Sequence, residues 1–411
     1  MVVRRLLRPA LAVLALTALA VSTAVAPATA TGPQPGTSSS TSSTAEPPPG
    51  GAVNGTRLMD GVALYPRAIR LEHSGPANGT IVASVVTFEG DVGHGAIFTS
   101  TDAGRSFERA GTVSDPGAAR GLCCSTLFEL PRQVGDLPEG TLLWSASVGQ
   151  QEDESTRRMT LPVWASRDQG RTWQHVSTAA TATGGKGLWE PEFAVTPDGR
   201  LALYVSDENQ QPTHSQILVQ TTSSDARTWS PPETVVAAQD PDLRPGMPVV
   251  RTLPDGTYLM SYEVCGPVED CRHYTRRSPD GTSWGDARAL GHAVTTADGT
   301  HFRHTPNISW YDDDTPDGRL LAVGQMLYGA DGGVLPGSGA TILTNDAAPE
   351  SPWAAAPAPV AIQDPWNDYC PNYSPTLLAM PERDEVLELS TGYESEGGAC
   401  TTYFAVAALP R

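Results

Sequence analysis

Residues 189–209, WEPEFAVTPDGRLALYVSDEN, read as strand, tight turn, strand. Phe193 and Val195 alternate with smaller or polar neighbours, Pro197-Asp198-Gly199 is a turn signal, and Leu201, Leu203 and Val205 resume the alternation. Carboxylates stand at both outer ends: Glu190 and Glu192 before the first apolar run, Asp207 and Glu208 after the second. Because the turn reverses the chain, those ends lie side by side. The unit therefore predicts a polar site at one rim of a β-structure.

The same unit recurs along the chain. PRAIRLEHSGPANGTIVASVVTFEG starts at Pro66, CSTLFELPRQVGDLPEGTLLWSASVG at Cys124, and EPEFAVTPDGRLALYVSDEN at Glu190. MPVVRTLPDGTYLMSYEVCG starts at Met247, TPNISWYDDDTPDGRLLAVGQML at Thr305, and YSPTLLAMPERDEVLELSTGYE at Tyr373. The starts are roughly sixty residues apart, which is a radial-repeat spacing with about four strands per unit. No window sustains helical periodicity. The expectation is an all-β fold, a six-bladed β-propeller of four-stranded antiparallel blades, over residues 52–411. Three strands fit after Tyr373, so residues 57–64 are expected to supply the fourth strand of the last blade and close the ring.

Before this repeat lie two other segments. Residues 1–30 read as an export signal: Arg4, Arg5 and Arg8, an apolar run at 11–21, and the small residues Ala28-Thr29-Ala30. The paired arginines also resemble a twin-arginine signal, which leaves the export route open. Residues 31–51 are mostly Ser, Thr, Pro and Gly and read as a disordered tether. Of 27 basic residues three fall in the leader, so the remainder faces 46 acidic ones and carries a net charge of about −22. That balance argues against nucleic acid and anionic membrane as partners and suits a secreted, extracellular protein, expected to be monomeric.

Six cysteines in an exported chain favour disulfides. Cys265 and Cys271 can close a short loop, and Cys370 and Cys400 can join adjacent hairpin strands. Adjacent Cys123 and Cys124 remain, either as a vicinal bond or as two buried thiols.

A second motif follows the hairpin in most units. STDAGRSF at 100–107 and SRDQGRTW at 166–173 share the pattern Ser-x-Asp-x-Gly-x-Ser/Thr-aromatic. SPDGTSW at 278–284 is one residue shorter, and residues 222–229 read as a degenerate copy with Ser224 and Ala226 in place of Asp and Gly. Here Asp accepts from nearby backbone N–H groups, Gly takes φ > 0, and the aromatic packs back on the sheet. These aspartates are folding clips between strands, not catalysts. The octapeptides resemble the Asp boxes of the sialidase-like proteins, and the six units resemble their propeller.

In a meandering blade the start of strand one and the end of strand two share a rim, opposite the clips. That rim gathers Arg67, Cys123, Glu190, Thr305 and Tyr373 with Glu89, Asp207, Glu263 and Glu394. Two carboxyls across a channel mouth can hydrolyse a glycoside, one protonating the leaving oxygen and the other attacking the anomeric carbon. Glu190 in Trp189-Glu190-Pro191 and Glu263 after the apolar strand YLMSY are the candidates, with Tyr65, Trp189, Trp366 and Tyr373 placed to stack on a sugar.

WEPEF with SDEN downstream, and GMPVVRTLPDGTYLMSYEVCG, resemble the exo-arabinanase branch of the sialidase-like glycoside hydrolases. That resemblance implies a retaining exo-hydrolase of α-1,5-linked arabinan, with Glu190 as acid/base, Glu263 as nucleophile and Tyr373 as a further site residue. Tyr65, Arg67, Trp189, Asp207, Arg303 and Trp366 are expected to touch the oligo- or polysaccharide substrate. Two alternatives compete. A sialidase needs an arginine cluster, for which Arg67, Arg272 and Arg303 are conceivable, but Tyr65-Pro66-Arg67 is not the usual early Arg motif. The other is a glycan-binding propeller without turnover. No cofactor is expected, and no metal, because the histidines lack ligand spacing.

Overall fold

The computed structural model describes residues 49–410 apart from 316, 396 and 397. The leader and most of the tether lie outside the described residues. The rest forms six antiparallel sheets, each a meander of strands. Blade 1 comprises Leu64–Arg70, Ile81–Glu89, Val92–Ser100 and Glu108–Val113. Blade 2 comprises Leu122–Glu129, Leu142–Val148, Thr160–Ser166 and Gln174–Thr181. Blade 3 comprises Leu188–Val195, Leu201–Asp207, Ile217–Ser223 and Glu233–Val236. Blade 5 comprises Asn307–Tyr311, Arg319–Val323, Thr341–Asn345 and Ala354–Pro357.

Blade 4 departs from the four-stranded rule. Its strands Arg244–Thr252, Tyr258–Cys265 and Arg272–Ser278 are followed by a two-residue outer strand, His292–Ala293. At Arg272 the third strand also pairs with Arg303 of His301–Arg303, which in turn pairs with Met326–Tyr328. Blade 6 comprises Thr376–Met380, Glu385–Tyr393 and Cys400–Ala408, and its fourth strand comes from the other end of the chain. Thr56 and Arg57 pair with Phe404 and Tyr403, and the Leu58 N–H donates to the Thr402 carbonyl at 2.8 Å. The closing strand is thus Thr56–Arg57, earlier and shorter than 57–64, because Leu64 already opens the innermost strand of blade 1.

Six apolar clusters fill the gaps between neighbouring blades. A blade is therefore buried on both faces. In the second strand of blade 3, Leu201, Leu203 and Val205 pack toward blade 2 while Ala202 and Tyr204 pack toward blade 4. Period-two alternation in such a strand is one of size rather than polarity, as in other sheets covered on both sides.

The hairpin turns repeat closely. The Thr196 N–H donates to Arg200 and the Gly199 N–H to Thr196, both at 2.9 Å, with Gly199 at φ +85°. Leu253, Gly256 and Thr257 do the same in blade 4, with Gly256 at φ +81°. The Ser-x-Asp clips follow the third strands, on the rim opposite the innermost strands' starts. In the first, the Ser106 N–H and hydroxyl donate to Asp102 at 3.0 and 2.6 Å, and these bonds pull its carboxyl down to about 2.

The copy in blade 3 requires a correction of register. Its acceptor is Asp225, which receives the Arg227 and Thr228 N–H groups at 2.8 and 2.7 Å and the Ser223 hydroxyl at 2.9 Å. The clip is the seven-residue form at 223–229, complete as in 278–284, with Ala226 at φ +57° where Gly281 sits at +72°.

Three disulfides are formed, Cys123–Cys124, Cys265–Cys271 and Cys370–Cys400. Among the described residues no helix is long and apolar enough to cross a membrane.

Candidate active site

Every innermost strand enters the sheet through one residue in the left-handed region: Tyr65, Cys124, Glu190, Met247, Thr305 and Ser374, at φ between +49° and +60°. An L-residue there costs about 1–2 kcal/mol. Such strain persists only where the surroundings fix it, and it gathers at working sites. Five of the six precede a proline, Pro66, Pro191, Pro248, Pro306 and Pro375; Cys124 precedes Ser125 and is instead bonded to Cys123. In blades 1 to 4 the ladder register slips at this point, so each is a bulge that re-aims its side chain.

The backbone N–H groups freed by the kinks are answered from the preceding blade. Glu190 N–H donates to Ser147 Oγ at 3.2 Å, and Met247 N–H to Ser206 Oγ at 3.0 Å. Thr305 N–H donates to Glu263 Oε2 at 2.7 Å, and Ser374 N–H to Thr305 Oγ1 at 2.9 Å. Ser147, Ser206 and Glu263 hold equivalent ladder positions, opposite Cys123, Trp189 and Gly246. Glu263 therefore stands where two other blades carry a structural serine. It makes the serine's hydrogen bond and still has a carboxylate oxygen to spare.

Three of the kinked residues, Cys124, Glu190 and Met247, line a cavity of about 310 Å³ whose walls also include Glu263, Trp189, Tyr373, Glu208 and Arg244. Tyr65, Cys124 and Met247 pack together beneath it, with Cys123 and Tyr373 against them. This gives an apolar floor under two carboxyls. Burial pushes Glu190 up to about 7, Glu208 adding to the rise while Ser206, the Met247 N–H and Arg244 oppose it. Burial also pushes Glu263 up to about 7, helped by Glu190 and opposed by the Thr305 N–H and Arg244. Removal from water is thus the main cause, rather than crowding among the acidic residues of the rim.

Those other acids are each held by partners of their own. Glu208 would rise by burial, but Arg244, the Gly187 N–H and the Trp189 indole hold it below its usual range. Glu192 lies lower in the central channel, taking Thr126 Oγ1 at 2.8 Å and Arg251 Nη1 at 2.9 Å. Asp207 accepts the backbone and side-chain N–H of Asn209, both at 2.8 Å, and lines a separate cleft beside Ala179 and Leu188. It caps a strand end outside the cavity.

The remaining expected contacts divide in the same way. Trp189 and Tyr373 line the cavity, and burial with the nearby Glu190 and Glu263 holds the Tyr373 hydroxyl well above its usual range. Tyr65 is buried in the floor, 6.3 Å from the Tyr373 ring, with the Arg67 guanidinium 4.2 Å from its centroid. Arg67 itself donates to Ser374 Oγ at 3.1 Å and to the Pro66 carbonyl at 2.8 Å, beneath the floor. Arg303 is paired with Asp270 and lies 4.0 Å from the Tyr328 ring, and Trp366 stacks on Tyr393; neither lines the cavity. Arg67 and Arg303 thus do not meet there, and the arginine lining the cavity is Arg244.

Arg244, Gln216, Met247 and the Cys123–Cys124 pair also line the cavity and were not singled out as contacts from the sequence. Arg244 reaches it from the start of a strand, where Glu208, Gln216 and Ser215 hold its guanidinium. No short motif announces that cluster. Glu263, Cys265, Cys271 and His304 converge closely enough to suggest a metal set, but both sulfurs are consumed in a disulfide and offer no thiolate.

No protein-family model matches the sequence, and no curated protein matches it. Solved structures do. The GH93 α-L-arabinofuranosidase of Fusarium graminearum, in complex with arabinobiose, is 26% identical, with a TM-score of 0.68 over 87% of this chain and 97% of that one. The α-L-arabinanase of Penicillium chrysogenum, also complexed with arabinobiose, is 24% identical, with a TM-score of 0.70 over 87% and 98%. A Hadza microbial sialidase, 13% identical with a TM-score of 0.53 over 84% and 65%, shares the fold. The chain is a six-bladed β-propeller similar to the GH93 arabinofuranosidases and arabinanases, and at the level of the fold to the sialidases.

Proposed function

We propose that the protein is an exported, retaining, exo-acting glycoside hydrolase of α-1,5-linked arabinan. The observation that carries this reading is the pair of half-buried carboxyls from neighbouring blades, Glu190 and Glu263, lining one cavity over an apolar floor and each raised to about 7. Such a pair holds about one proton near neutrality, which is what acid-assisted nucleophilic attack requires. Glu208 adds to the rise of Glu190, though Ser206 and the Met247 N–H favour its charged form more, so the division of roles rests on the resemblance of the two motifs rather than on the shifts. The Thr305 N–H favours charge on Glu263.

In the first step Glu263 attacks the anomeric carbon as the glycosidic C–O bond breaks, and the Glu190 proton passes to the leaving oxygen. In the second, Glu190 takes a proton from water, which attacks the same carbon and releases Glu263. Trp189 and Tyr373 would contact the sugar. Arabinobiose in the complexes of the similar enzymes supports arabinan as substrate. The three disulfides support export. The test is product release from a panel of polysaccharides including linear arabinan and a sialoside. Arabino-oligosaccharide release is expected. Cleavage of the sialoside alone would replace this reading with a sialidase, and no cleavage of any member with binding retained would replace it with a lectin-like propeller.

A further inference from the structure

The exposed aromatic rings among the described residues are Trp366 and Tyr369, 40% and 58% accessible, on the segment joining blades 5 and 6. Neither lines the catalytic cavity. An apolar ring left in water adds little to the fold, yet this segment is firmly built. The carbonyls of Trp366, Asp368 and Pro371 converge on the buried Gln325 amide at 3.1, 2.6 and 3.0 Å. Asn372 Nδ2 donates to the Gly324 and Gln325 carbonyls at 3.0 and 2.8 Å, and Cys370 is tied to Cys400. The Trp366 ring stacks on Tyr393 at 5.8 Å and 16°. Gly50 lies beneath, bonded to Gln363 and Tyr393, so close that a Cβ there would come within 2.8 Å of the indole.

We propose that Trp366 and Tyr369 form an outlying platform for a neutral polysaccharide chain, beyond the catalytic cavity. The flat apolar faces of sugar rings fit exposed indole and phenol rings, whose polar edges stay wet. Tyr373, on the same segment, lines the cavity, and the proposed path takes a glycan from it over blade 6 across this surface. Asp364 and Asp368 in the same segment can accept hydrogen bonds from sugar hydroxyls and would repel an anionic polymer. The direction of the chain rests on the hydrolase reading above; the binding itself does not.

The test is migration of the full chain in native gels containing linear arabinan or other neutral polysaccharides, beside hydrolysis of arabinan and of arabinotriose. The wild type should be retarded by at least one neutral polymer, and Trp366→Ala with Tyr369→Ala should run as in a polymer-free gel. The double variant should lose about tenfold in kcat/KM on the polymer and nothing on the trisaccharide. Trp366→Phe, which keeps a ring on Tyr393, should retain most of the retardation. Unchanged retardation in the double variant, equal losses on polymer and trisaccharide, or a wild type unretarded by every neutral polymer would each overturn the platform. Retardation lost in the double variant, with arabinan never cleaved by the wild type, would sink the hydrolase reading and leave the platform standing.

Discussion

Glu263 brings a carboxylate to a ladder position where two other blades carry a structural serine. Ser147 and Ser206 spend their hydroxyls on the kinked N–H of the next blade, whereas Glu263 does so with one oxygen. Glu263→Ala should therefore abolish turnover of arabinan while sugar binding to Trp189 and Tyr373 persists, measured by calorimetry with an unhydrolysed oligosaccharide. It should also cost stability, because the Thr305 N–H then lacks its acceptor, about 1–3 kcal/mol. Glu263→Ser should recover much of that stability and none of the activity. Glu190→Ala should behave differently: slow on natural linkages, far less impaired on activated aryl glycosides, whose leaving groups need little protonation. The alkaline limb of its pH profile should vanish with those substrates, since that limb reports loss of the Glu190 proton above about 7. Full arabinan activity in either alanine variant would refute the assignment.

At the scale of the element, the clip of blade 3 separates what the residues declare from what they conceal. Counting eight positions from Thr222 puts Ser224 and Ala226 where Asp and Gly are wanted, and the motif looks broken. Counting seven from Ser223 restores it, and the hydrogen bonds to Asp225 decide for seven. Ala226 then occupies a left-handed position without a glycine's freedom, so Ala226→Gly should stabilise the fold by up to about 1 kcal/mol, seen as a higher midpoint of thermal unfolding. Gly281→Ala at the matching position should lower it, as its new Cβ would also press on the Tyr258 ring at 3.2 Å. The hairpins, their number and the pairing of Glu190 with Glu263 were legible because turn residues and strand polarity are local. Asp207 lies one step of the pleat from the face that meets the site, since Ser206 is turned toward blade 4 and the Met247 N–H while its neighbour is turned the other way. Arg244 was not legible at all: its partners Glu208, Gln216 and Ser215 assemble only when the ends of two blades meet.

The whole molecule carries a pH signature to which three desolvated carboxyls contribute. Glu190 and Glu263 are raised from 4.5 to about 7, and Glu388 to about 8, each chiefly by burial. Glu388 lies in the blade 5–6 region, where its Oε2 accepts the Val360 N–H at 2.8 Å, and it has no part in the proposed chemistry. Below about 4.5 all three are protonated in folded and unfolded chain alike. As the pH rises the unfolded chain releases its protons first, so it binds fewer than the native state and stability falls until the folded groups ionise near 7 and 8. Asp102, Asp225 and Asp280 in the clips have the opposite sense: their lowered values lend stability that is lost as the pH falls below the usual carboxylate range. His273, His301 and His304, lowered by burial, act against the carboxyls below about 6.5, where the unfolded chain takes up their protons first, so the decline owed to the carboxyls should show between about pH 6.5 and pH 8. Glu388→Gln keeps the shape and removes one of the three carboxyls, so the loss they cause between pH 5 and pH 8 should shrink by roughly 1.4 kcal/mol for each unit of the shift it abolishes. Urea unfolding of wild type and variant at the two pH values measures this. An unchanged difference between them would mean that Glu388 is solvated in the folded protein and that the core of that blade is open to water.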